Sequence, residues 1–246
     1  MRKAVCLLSG GLDSTTVLYA ARSEGYSVMA LTVHYGQLHE KEIKCAEQIA
    51  SELGLEHYTV RVSLPWKGSA LLDPQVPMPL GRDASQMPKE IPSTYVPARN
   101  SIFLSLAASY AEARKAEAIF IGANALDYSG YPDCRPEFFQ AFSHVIRQGT
   151  KMGCEGKKIS IIAPLLKLSK KEIIELGVSL NVPFKKTWSC YRGEEYPCGE
   201  CDSCILRSKG FAEAGMTDPL TLGVPSGLGL VSRPAKVKRN VASPHS

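Results

Sequence analysis

The sequence feature that most restricts this chain is the segment SGGLDS at residues 9–14. An apolar run at residues 4–8 precedes it and predicts a strand, and an apolar helical pattern begins directly after it. The glycines allow backbone N–H groups to approach an anion closely, and the start of the helix adds the positive end of its dipole. The hydroxyls of Ser9 and Ser14 can donate as well. We therefore predict a phosphate-binding turn between a strand and a helix.

The kind of phosphate site follows from what the turn lacks. It has no lysine in the arrangement GxxxxGK[ST], so it is not the Walker loop that serves transfer of a γ-phosphate. It resembles the PP-loop of the N-type ATP pyrophosphatases, which usually split ATP between the α- and β-phosphates and adenylate a substrate oxygen. The alternative is an ordinary strand–helix turn that happens to contain small residues.

Apolar runs and helical patterns alternate along the chain. We predict strands at 3–8, 27–34, 57–62, 118–122 and 158–162, and helices at 13–23, 40–53, 98–114, 135–148, 170–180 and 202–214. This alternation predicts an α/β fold with a doubly wound, mostly parallel sheet, similar to the adenine nucleotide alpha hydrolases, and with ligands at the carboxyl ends of the strands.

The chain divides into three predicted parts. They are a nucleotide-binding domain (1–184), a small metal-binding subdomain (185–218) and a basic tail (219–246) whose composition predicts disorder. Within the first part, a Pro-rich segment (63–97) holds seven of the sixteen prolines and interrupts the alternation. A long loop of this kind inside a compact domain predicts a lid or a dimer contact.

The charge distribution argues against a nucleic-acid partner. The formal net charge is +5, and the tail, which has no acidic residue, supplies four of these charges through Arg233, Lys236, Lys238 and Arg239. The rest of the chain is nearly neutral and makes no strong electrostatic case for a polyanion. No apolar stretch reaches the roughly 20 residues of a membrane span, and the N-terminal residues do not read as a secretory signal. We expect a cytoplasmic protein that binds neither nucleic acid nor a membrane.

Four of the eight cysteines predict a metal site. Cys190, Cys198, Cys201 and Cys204 have the spacing C-x7-C-x2-C-x2-C. Four thiolates close a tetrahedron around Zn²⁺ and leave no position for a substrate, so the site would be structural. An iron–sulfur cluster takes the same ligands and is the alternative.

Five further segments are specific to one family. They read VHYGQ (33–37), YVPARN (95–100), GANALDYSGYPDCRPEF (122–138), PLL-x-LSK-x-EII (164–174), and TWSCY followed by CGECDSC and LR (187–207). Together they strongly resemble the 7-cyano-7-deazaguanine synthases, the preQ0 synthases of the queuosine pathway. The resemblance covers about residues 3–219 and excludes the tail.

This resemblance implies a reaction in which 7-carboxy-7-deazaguanine, ammonia and ATP give a nitrile, together with Mg²⁺ and a homodimer. A carboxylate is a poor electrophile, so ATP must convert its oxygen into a leaving group before ammonia can attack. A second activation of the resulting amide then gives the nitrile. No protein nucleophile is needed, so such a site works by positioning and charge stabilisation. Whether ATP ends as AMP and pyrophosphate or as ADP and phosphate stays open.

The resemblance also implies roles for particular residues. The expected catalytic residues are Ser9, Asp13, Ser14 and Arg99, with Asp13 either orienting Mg²⁺ or water or capping the helix, and Arg99 either neutralising phosphate or forming a surface ion pair. The expected ATP-binding residues are Leu8, Ser9, Gly10, Gly11, Leu12, Asp13, Ser14, Thr15, Thr16, Val17, Leu18, Val33 and His34. The expected substrate-binding residues are Asn124, Asp127, Tyr128, Tyr131, Asp133 and Arg135, with Arg135 as the candidate partner of the substrate carboxylate.

Two other functions compete with this one. The first is a PP-loop enzyme that modifies tRNA, of the thiolase or lysidine synthetase type, which would need a basic surface or an RNA-binding domain. The second is a zinc-ribbon-like interaction module fused to an inactive nucleotide fold, against which the intact SGGLDS argues.

Overall fold

A computed structural model describes residues 1–83, 87, 91–125 and 131–222. The strands are β1 Lys3–Leu7, β2 Ser27–His34, β3 His57–Arg61, β4 Ala118–Phe120 and β5 Ser160–Ile162. The helices are α1 Leu12–Ser23, α2 Lys41–Glu52, α3 Arg99–Arg114, α4 Pro136–Gly149, α5 Lys151–Cys154, α6 Lys170–Ser179 and α7 Asp202–Glu213. The described strands form one parallel sheet in the order β3–β2–β1–β4–β5. The predicted doubly wound α/β fold is confirmed.

Both faces of the sheet are buried under helices. Val5 of β1 lies in one apolar cluster with Leu104 of α3, and its neighbour Cys6 lies in the other with Val17 of α1. Successive side chains of a strand point to opposite faces, which is why a parallel strand covered on both sides is apolar throughout. Burial raises the pKa of the Cys6 thiol to about 12, so this cysteine is an inert packing residue.

Four strands are shorter than their apolar runs predicted, β1 and β3 by one residue each and β4 and β5 by two. β4 ends at Phe120 rather than at residue 122, and β5 begins at Ser160 rather than at residue 158. The two strands pair residue for residue over only three positions. Beyond β4 the chain passes close to α1, since a Cβ atom on Gly122 would lie 2.9 Å from the backbone nitrogen of Ser14. The chain therefore leaves the sheet at Gly122, where the start of α1 packs against the Gly122 backbone.

The Pro-rich segment (63–97) packs against two other parts of the protein. Leu71 is buried in the apolar cluster that contains residues of α3. Further along, Leu80 forms an isolated antiparallel bridge with Cys201, and Arg82 Nη1 lies 2.9 Å from Asp202 Oδ2. These contacts join the segment to the cysteine-bearing loop. Its role as a lid or a dimer contact stays a prediction.

The C-terminal end of the described chain returns to the body of the protein. Leu220 packs against the cysteine cluster, and its backbone N–H donates to Asp218 Oδ1 at 3.0 Å. The rest of the basic tail, residues 223–246, lies outside the described residues, and its disorder and the domain limits at 184 and 218 stay predictions. Among the residues that the structure describes, no helix has both the length and the apolar character needed to cross a bilayer.

Candidate active site

A cavity of about 240 Å³ lies at the carboxyl ends of β1, β2 and β4. Its wall includes Leu8 after β1, Val33 of β2 and Gly122 after β4. Doubly wound sheets bind ligands at this edge because the loops that follow the strands meet there. The turn at residues 9–14 forms one side of the cavity, and residues of α2 and α3 form others.

The turn is fixed by its own serines and by close packing on α2. Ser14 Oγ accepts the N–H of Ser9 at 3.2 Å and lies 3.0 Å from Ser9 Oγ. Gly10 has φ +86°, and a Cβ atom there would lie 2.1 Å from the carbonyl oxygen of Glu42. Both the left-handed backbone and the close contact require glycine at this position.

α1 begins at the cavity without a side-chain cap. Its N-cap residue is Gly11, and Thr15 N donates to Gly11 O at 3.1 Å. Leu12, Asp13 and Ser14 of the first turn line the cavity. An uncapped helix start offers N–H groups and the positive end of the dipole to an anion. Asp13 is therefore not the helix cap, which was one of its two expected roles.

The predicted ATP-binding residues fall into two groups. Those that line the cavity are Leu8, Ser9, Gly11, Leu12, Asp13, Ser14 and Val33. Those outside the lining are Gly10, which packs on α2, Thr15, Thr16, Val17 and Leu18, which are buried within α1, and His34. The Nε2 atom of His34 lies 2.9 Å from Glu40 Oε1, at the end of β2. The second group thus supports the turn and the helix rather than bordering the cavity.

Asp13 is held by a lysine that the sequence reasoning left without a role. Lys170 Nζ donates to both carboxylate oxygens of Asp13 at 2.8 Å, and both side chains are largely buried. Lys170 is the first residue of α6, whose start is fixed by a capping box between Ser169 and Glu172. Because Lys170 also lines the cavity, it adds the positive charge of its ammonium group to the positive end of the α1 dipole at the turn.

Arg99 begins α3 and faces the cavity. Its Nη1 donates to the Tyr35 hydroxyl at 3.3 Å, and its guanidinium lies 5.7 Å from the Tyr35 ring and 6.0 Å from the Phe103 ring. Among the described residues it forms no ion pair with a carboxylate, so the surface ion pair is excluded there. A fixed guanidinium on an aromatic wall suits an anionic group that enters the cavity.

Two of the six predicted substrate-binding residues line the cavity, Asn124 and Tyr131. The amide nitrogen of Asn124 donates to the carbonyl oxygens of Leu165 and Leu168 at 3.1 and 2.6 Å. The Tyr131 hydroxyl lies 2.9 Å from Thr94 Oγ1. Both side chains are therefore fixed in place by neighbouring loops.

The other four predicted substrate residues are placed differently. Asp133 is buried, and its Oδ2 accepts the backbone N–H of Asn100 at 2.9 Å, so it stabilises the start of α3. Arg135 is exposed, donates through Nε to Pro132 O at 3.2 Å and does not line the cavity. Asp127 and Tyr128 lie outside the described residues. The structure thus gives no support to Arg135 as the partner of a bound carboxylate, because its helix begins with that side chain facing solvent.

Glu42 is the main cavity residue that the sequence reasoning missed. It lies in the first turn of α2 and lines the cavity beside the glycine turn. The pKa of the Glu42 carboxyl is raised to about 7, mainly by burial, with Arg99 lowering it and Cys190 and Asp13 raising it. A signal existed in the sequence, since Glu42 precedes the buried Ala46 by one helical turn and so places a charge on the apolar face.

Cys134 also lines the cavity but is not a nucleophile. Burial and the neighbouring Asp133 raise the pKa of its thiol to about 11. The thiol therefore stays protonated near neutral pH, while the reactive form of cysteine is the thiolate. Its place beside the Asn100 amide, at 3.3 Å, is that of a packing residue.

The four predicted metal ligands come together, their Sγ atoms all lying within 4.8 Å of one another. Backbone N–H groups of Arg192 and Cys198 donate to Cys190 Sγ at 3.4 and 3.3 Å, and that of Cys201 donates to Cys198 Sγ at 3.4 Å. Such donors stabilise thiolates, and four thiolates at this separation fit one tetrahedral metal or a small cluster. Cys190, Cys198, Cys201 and Cys204 can therefore hold a metal.

The cysteine-bearing loop is joined directly to the glycine turn. Trp188 N donates to Gly10 O at 2.9 Å, and the Lys41 ammonium lies 3.7 Å from the centre of the Trp188 ring. Lys41 also donates to the carbonyl oxygens of Glu194 and Glu195 at 2.5 and 2.7 Å. The metal-binding loop thus supports the back of the phosphate-binding turn.

The family model and the curated relatives that match this chain agree on one family. The family described as "Queuosine biosynthesis protein QueC" matches residues 3–215. A relative in Trichodesmium erythraeum, named 7-cyano-7-deazaguanine synthase, is 55% identical over 220 residues, which are 89% of this chain and 99% of the relative. One in Thermoplasma volcanium with the same name is 54% identical over 219 residues, 89% of this chain and 90% of the relative.

The likeness to solved structures is weaker. A predicted tRNA methyltransferase subunit from Methanocaldococcus jannaschii has a TM-score of 0.47 at 17% identity and covers 72% of this chain and 75% of its own. The assignment therefore depends on the sequence matches, which extend over most of the protein. On these matches, the chain belongs to the QueC family of queuosine biosynthesis proteins.

Proposed function

We propose that this protein converts 7-carboxy-7-deazaguanine, ammonia and ATP to 7-cyano-7-deazaguanine. The observation that carries the proposal is the composition of the cavity wall. At one end is the uncapped glycine turn with Lys170, which suits phosphate, and at the other is Arg99 among Tyr35, Phe103 and Tyr131, which suits a flat acid. Both ends open into one cavity, as a reaction between ATP and a carboxylate requires.

ATP phosphates would bind at the turn. Ser9, Ser14 and the backbone N–H groups at the start of α1 are the donors, and Lys170 adds a positive charge. Asp13 would supply the carboxylate for Mg²⁺, while Lys170, which binds both oxygens of Asp13, would keep its positive charge beside the phosphates, and the bound ion would offset phosphate charge. The end of β2 at Val33 would border the adenine.

The acid would bind at the aromatic end. Arg99, which lines the cavity, would hold the substrate carboxylate as its oxygen attacks phosphorus, rather than the exposed Arg135. Tyr131 and Asn124 border the same space and would contact the heterocycle. The enzyme would then contribute orientation and fixed positive charge rather than a covalent intermediate.

The metal would be structural Zn²⁺. Four thiolates leave no open position, and the chemistry proposed for the cavity involves no electron transfer. All eight cysteines are free thiols, which fits a reducing compartment, so we place the protein in the cytoplasm. A homodimer, which the family resemblance implies, completes the proposal and can be checked by light scattering.

The deciding experiment is mass spectrometry of the products formed from 7-carboxy-7-deazaguanine, ammonium and ATP. We expect the nitrile, with the amide as an intermediate, and the adenine nucleotide released will show which phosphate bond is broken. Arg99→Lys keeps the charge but removes the forked donor, so we expect a higher KM for the acid and an unchanged KM for ATP. If the metal-loaded protein formed neither the amide nor the nitrile, the proposal would be refuted.

The two competing functions are less well supported. The curated relatives at 55% and 54% identity are named as synthases of the nitrile, not as tRNA-modifying enzymes. An inactive interaction module would have no reason to keep the intact SGGLDS turn and an uncapped helix start at the cavity. Tight tRNA binding without turnover of the acid would restore the first alternative.

A further inference from the structure

Three oxygen atoms converge on the open side of Gly11. A Cβ atom on Gly11 would lie 3.3 Å from Ser9 Oγ, 3.5 Å from Glu42 Oε1 and 3.5 Å from the carbonyl oxygen of Trp188. These oxygens come from the glycine turn, from α2 and from the cysteine-bearing loop. Because position 11 has no side chain, nothing from that residue separates the three oxygens, and Ser9, Gly11 and Glu42 also line the cavity.

Glu42 adds a carboxylate to this group of oxygens, and the positive charge that acts on it comes from Arg99, which forms no ion pair with it. Within the described part of the chain its carboxylate has no hydrogen-bond or ion-pair partner, whereas the other cavity acid, Asp13, is held by Lys170. Removing a carboxylate from water without a partner is costly. A carboxylate, a hydroxyl oxygen and a carbonyl oxygen around one point favour a small cation that can donate several hydrogen bonds.

The proposed reaction needs such a cation. Ammonia is almost entirely ammonium at neutral pH, and ammonium has no lone pair with which to attack carbon. The site must therefore hold the ion close to the activated carboxyl group and remove a proton from it. A general base has to lie within hydrogen-bond reach of the proton it takes.

We propose that Glu42, Ser9 Oγ and the Trp188 carbonyl oxygen bind the nitrogen substrate as ammonium, and that the Glu42 carboxylate takes its proton; this inference rests on the proposed function. The lone pair freed on nitrogen forms the C–N bond to the activated carboxyl carbon. The bond from that carbon to the phosphate oxygen breaks, and the departing phosphate group takes the electron pair. A second proton passes from nitrogen to the departing phosphate, which leaves a neutral amide.

Magnesium fits this space less well than ammonium. Mg²⁺ requires near-octahedral oxygen ligands and binds mainly through carboxylates and phosphates. Only one of the three converging atoms carries a charge, and Asp13 offers a carboxylate elsewhere on the same cavity. Ammonium instead can donate one N–H to each of the three acceptors and still has a fourth N–H.

The test replaces Glu42 and changes the nucleophile. Glu42→Gln keeps the size of the side chain, and Glu47→Gln, an exposed acid on the same helix, is the matched control. Each protein is assayed with ATP and the carboxylic acid, first with ammonium and then with hydroxylamine. Hydroxylamine is largely unprotonated at neutral pH, needs no base, and captures the activated acid as a hydroxamate that mass spectrometry detects.

We expect Glu42→Gln to lose about a hundredfold in kcat/KM for ammonium while it forms hydroxamate at nearly the wild-type rate. Glu47→Gln should match the wild type with both nucleophiles. Unchanged ammonium kinetics in Glu42→Gln would overturn the inference. Loss of hydroxamate as well, in a variant that still folds, would also overturn it, because Glu42 would then act in ATP or acid binding. No hydroxamate from the wild type would instead refute the proposed function.

Discussion

Lys170 Nζ lies 2.8 Å from both carboxylate oxygens of Asp13, and this contact joins the start of α6 to the first turn of α1. The two residues are separated by 157 positions in the sequence, and both line the cavity. A carboxylate beside a phosphate-binding turn would repel phosphate if it stood alone. The lysine offsets that charge, so the pair can remain next to a polyanion.

Asp13→Asn should abolish turnover and leave the fold intact, because it removes the carboxylate proposed for Mg²⁺ without changing the size of the side chain. We expect kcat to fall at least about a hundredfold, measured as nitrile formation, with a far-UV circular dichroism spectrum like that of the wild type. The double variant Asp13→Asn/Lys170→Met removes both charges and should remain inactive. If its kcat recovered, the pair would be only structural.

Gly10→Ala should destabilise the protein far more than Gly25→Ala. Both glycines have positive φ, +86° and +81°, so both substitutions share the left-handed backbone cost of about 1–2 kcal/mol. A Cβ atom at Gly10 would in addition meet the Glu42 carbonyl at 2.1 Å, whereas Gly25 has nothing within 4 Å. Urea unfolding should show an extra loss of roughly 1–3 kcal/mol for Gly10→Ala. Equal losses for the two variants would refute the packing of the turn on α2.

Cys201→Ala should release the metal and lower stability, since a structural metal contributes its binding free energy to folding. We expect roughly 3 kcal/mol or more of lost unfolding free energy, with the metal content measured by plasma mass spectrometry. The matched control is Cys154→Ala, because Cys154 is an exposed cysteine outside the cluster. A metal-free Cys201→Ala protein with wild-type stability would contradict the structural role.

A chain that stops after residue 222 should keep full activity, because the family match ends at residue 215 and does not include the basic tail. A chain that stops after residue 217 should be much less stable. It lacks Asp218, whose carboxylate oxygens accept from Arg207 Nε and Nη2 at 2.7 and 3.0 Å in a buried pair. Breaking such a pair costs about 3–5 kcal/mol, which thermal unfolding can measure. An inactive chain ending at 222 would show that the tail is functional.

The fold could be predicted from the sequence because its signals are local. Strand and helix periods depend on neighbours within a few residues, and the strand–turn–helix around residues 9–14 contains its own glycines and serines. The cysteine ligands were predictable for the same reason, since their spacing alone brings four thiolates together. The limits of most strands and helices differ from the prediction by one or two residues, and the short helix α5 was not predicted. The largest strand differences lie where pairing between β4 and β5 ended sooner than the apolar runs.

The cavity lining was less predictable because it depends on contacts between distant segments. Arg135 belongs to the most specific motif, yet the chain turns at Pro136 and leaves its side chain in solvent. Lys170 and Glu42 come from helices far from the turn in sequence, and no local pattern says that they meet it. A charged residue on an otherwise apolar helix face was the one usable sign, and it identifies Glu42.

The hydrogen bond from Trp188 N to Gly10 O has a consequence for how ATP affinity should respond to the supply of the metal that the four cysteines can hold. The cysteine-bearing loop supports the turn, so a protein without its metal should hold ATP more loosely. ATP affinity would then report metal supply, although none of the four clustered cysteines lines the cavity. In a metal-poor cell the reaction would slow at nucleotide binding.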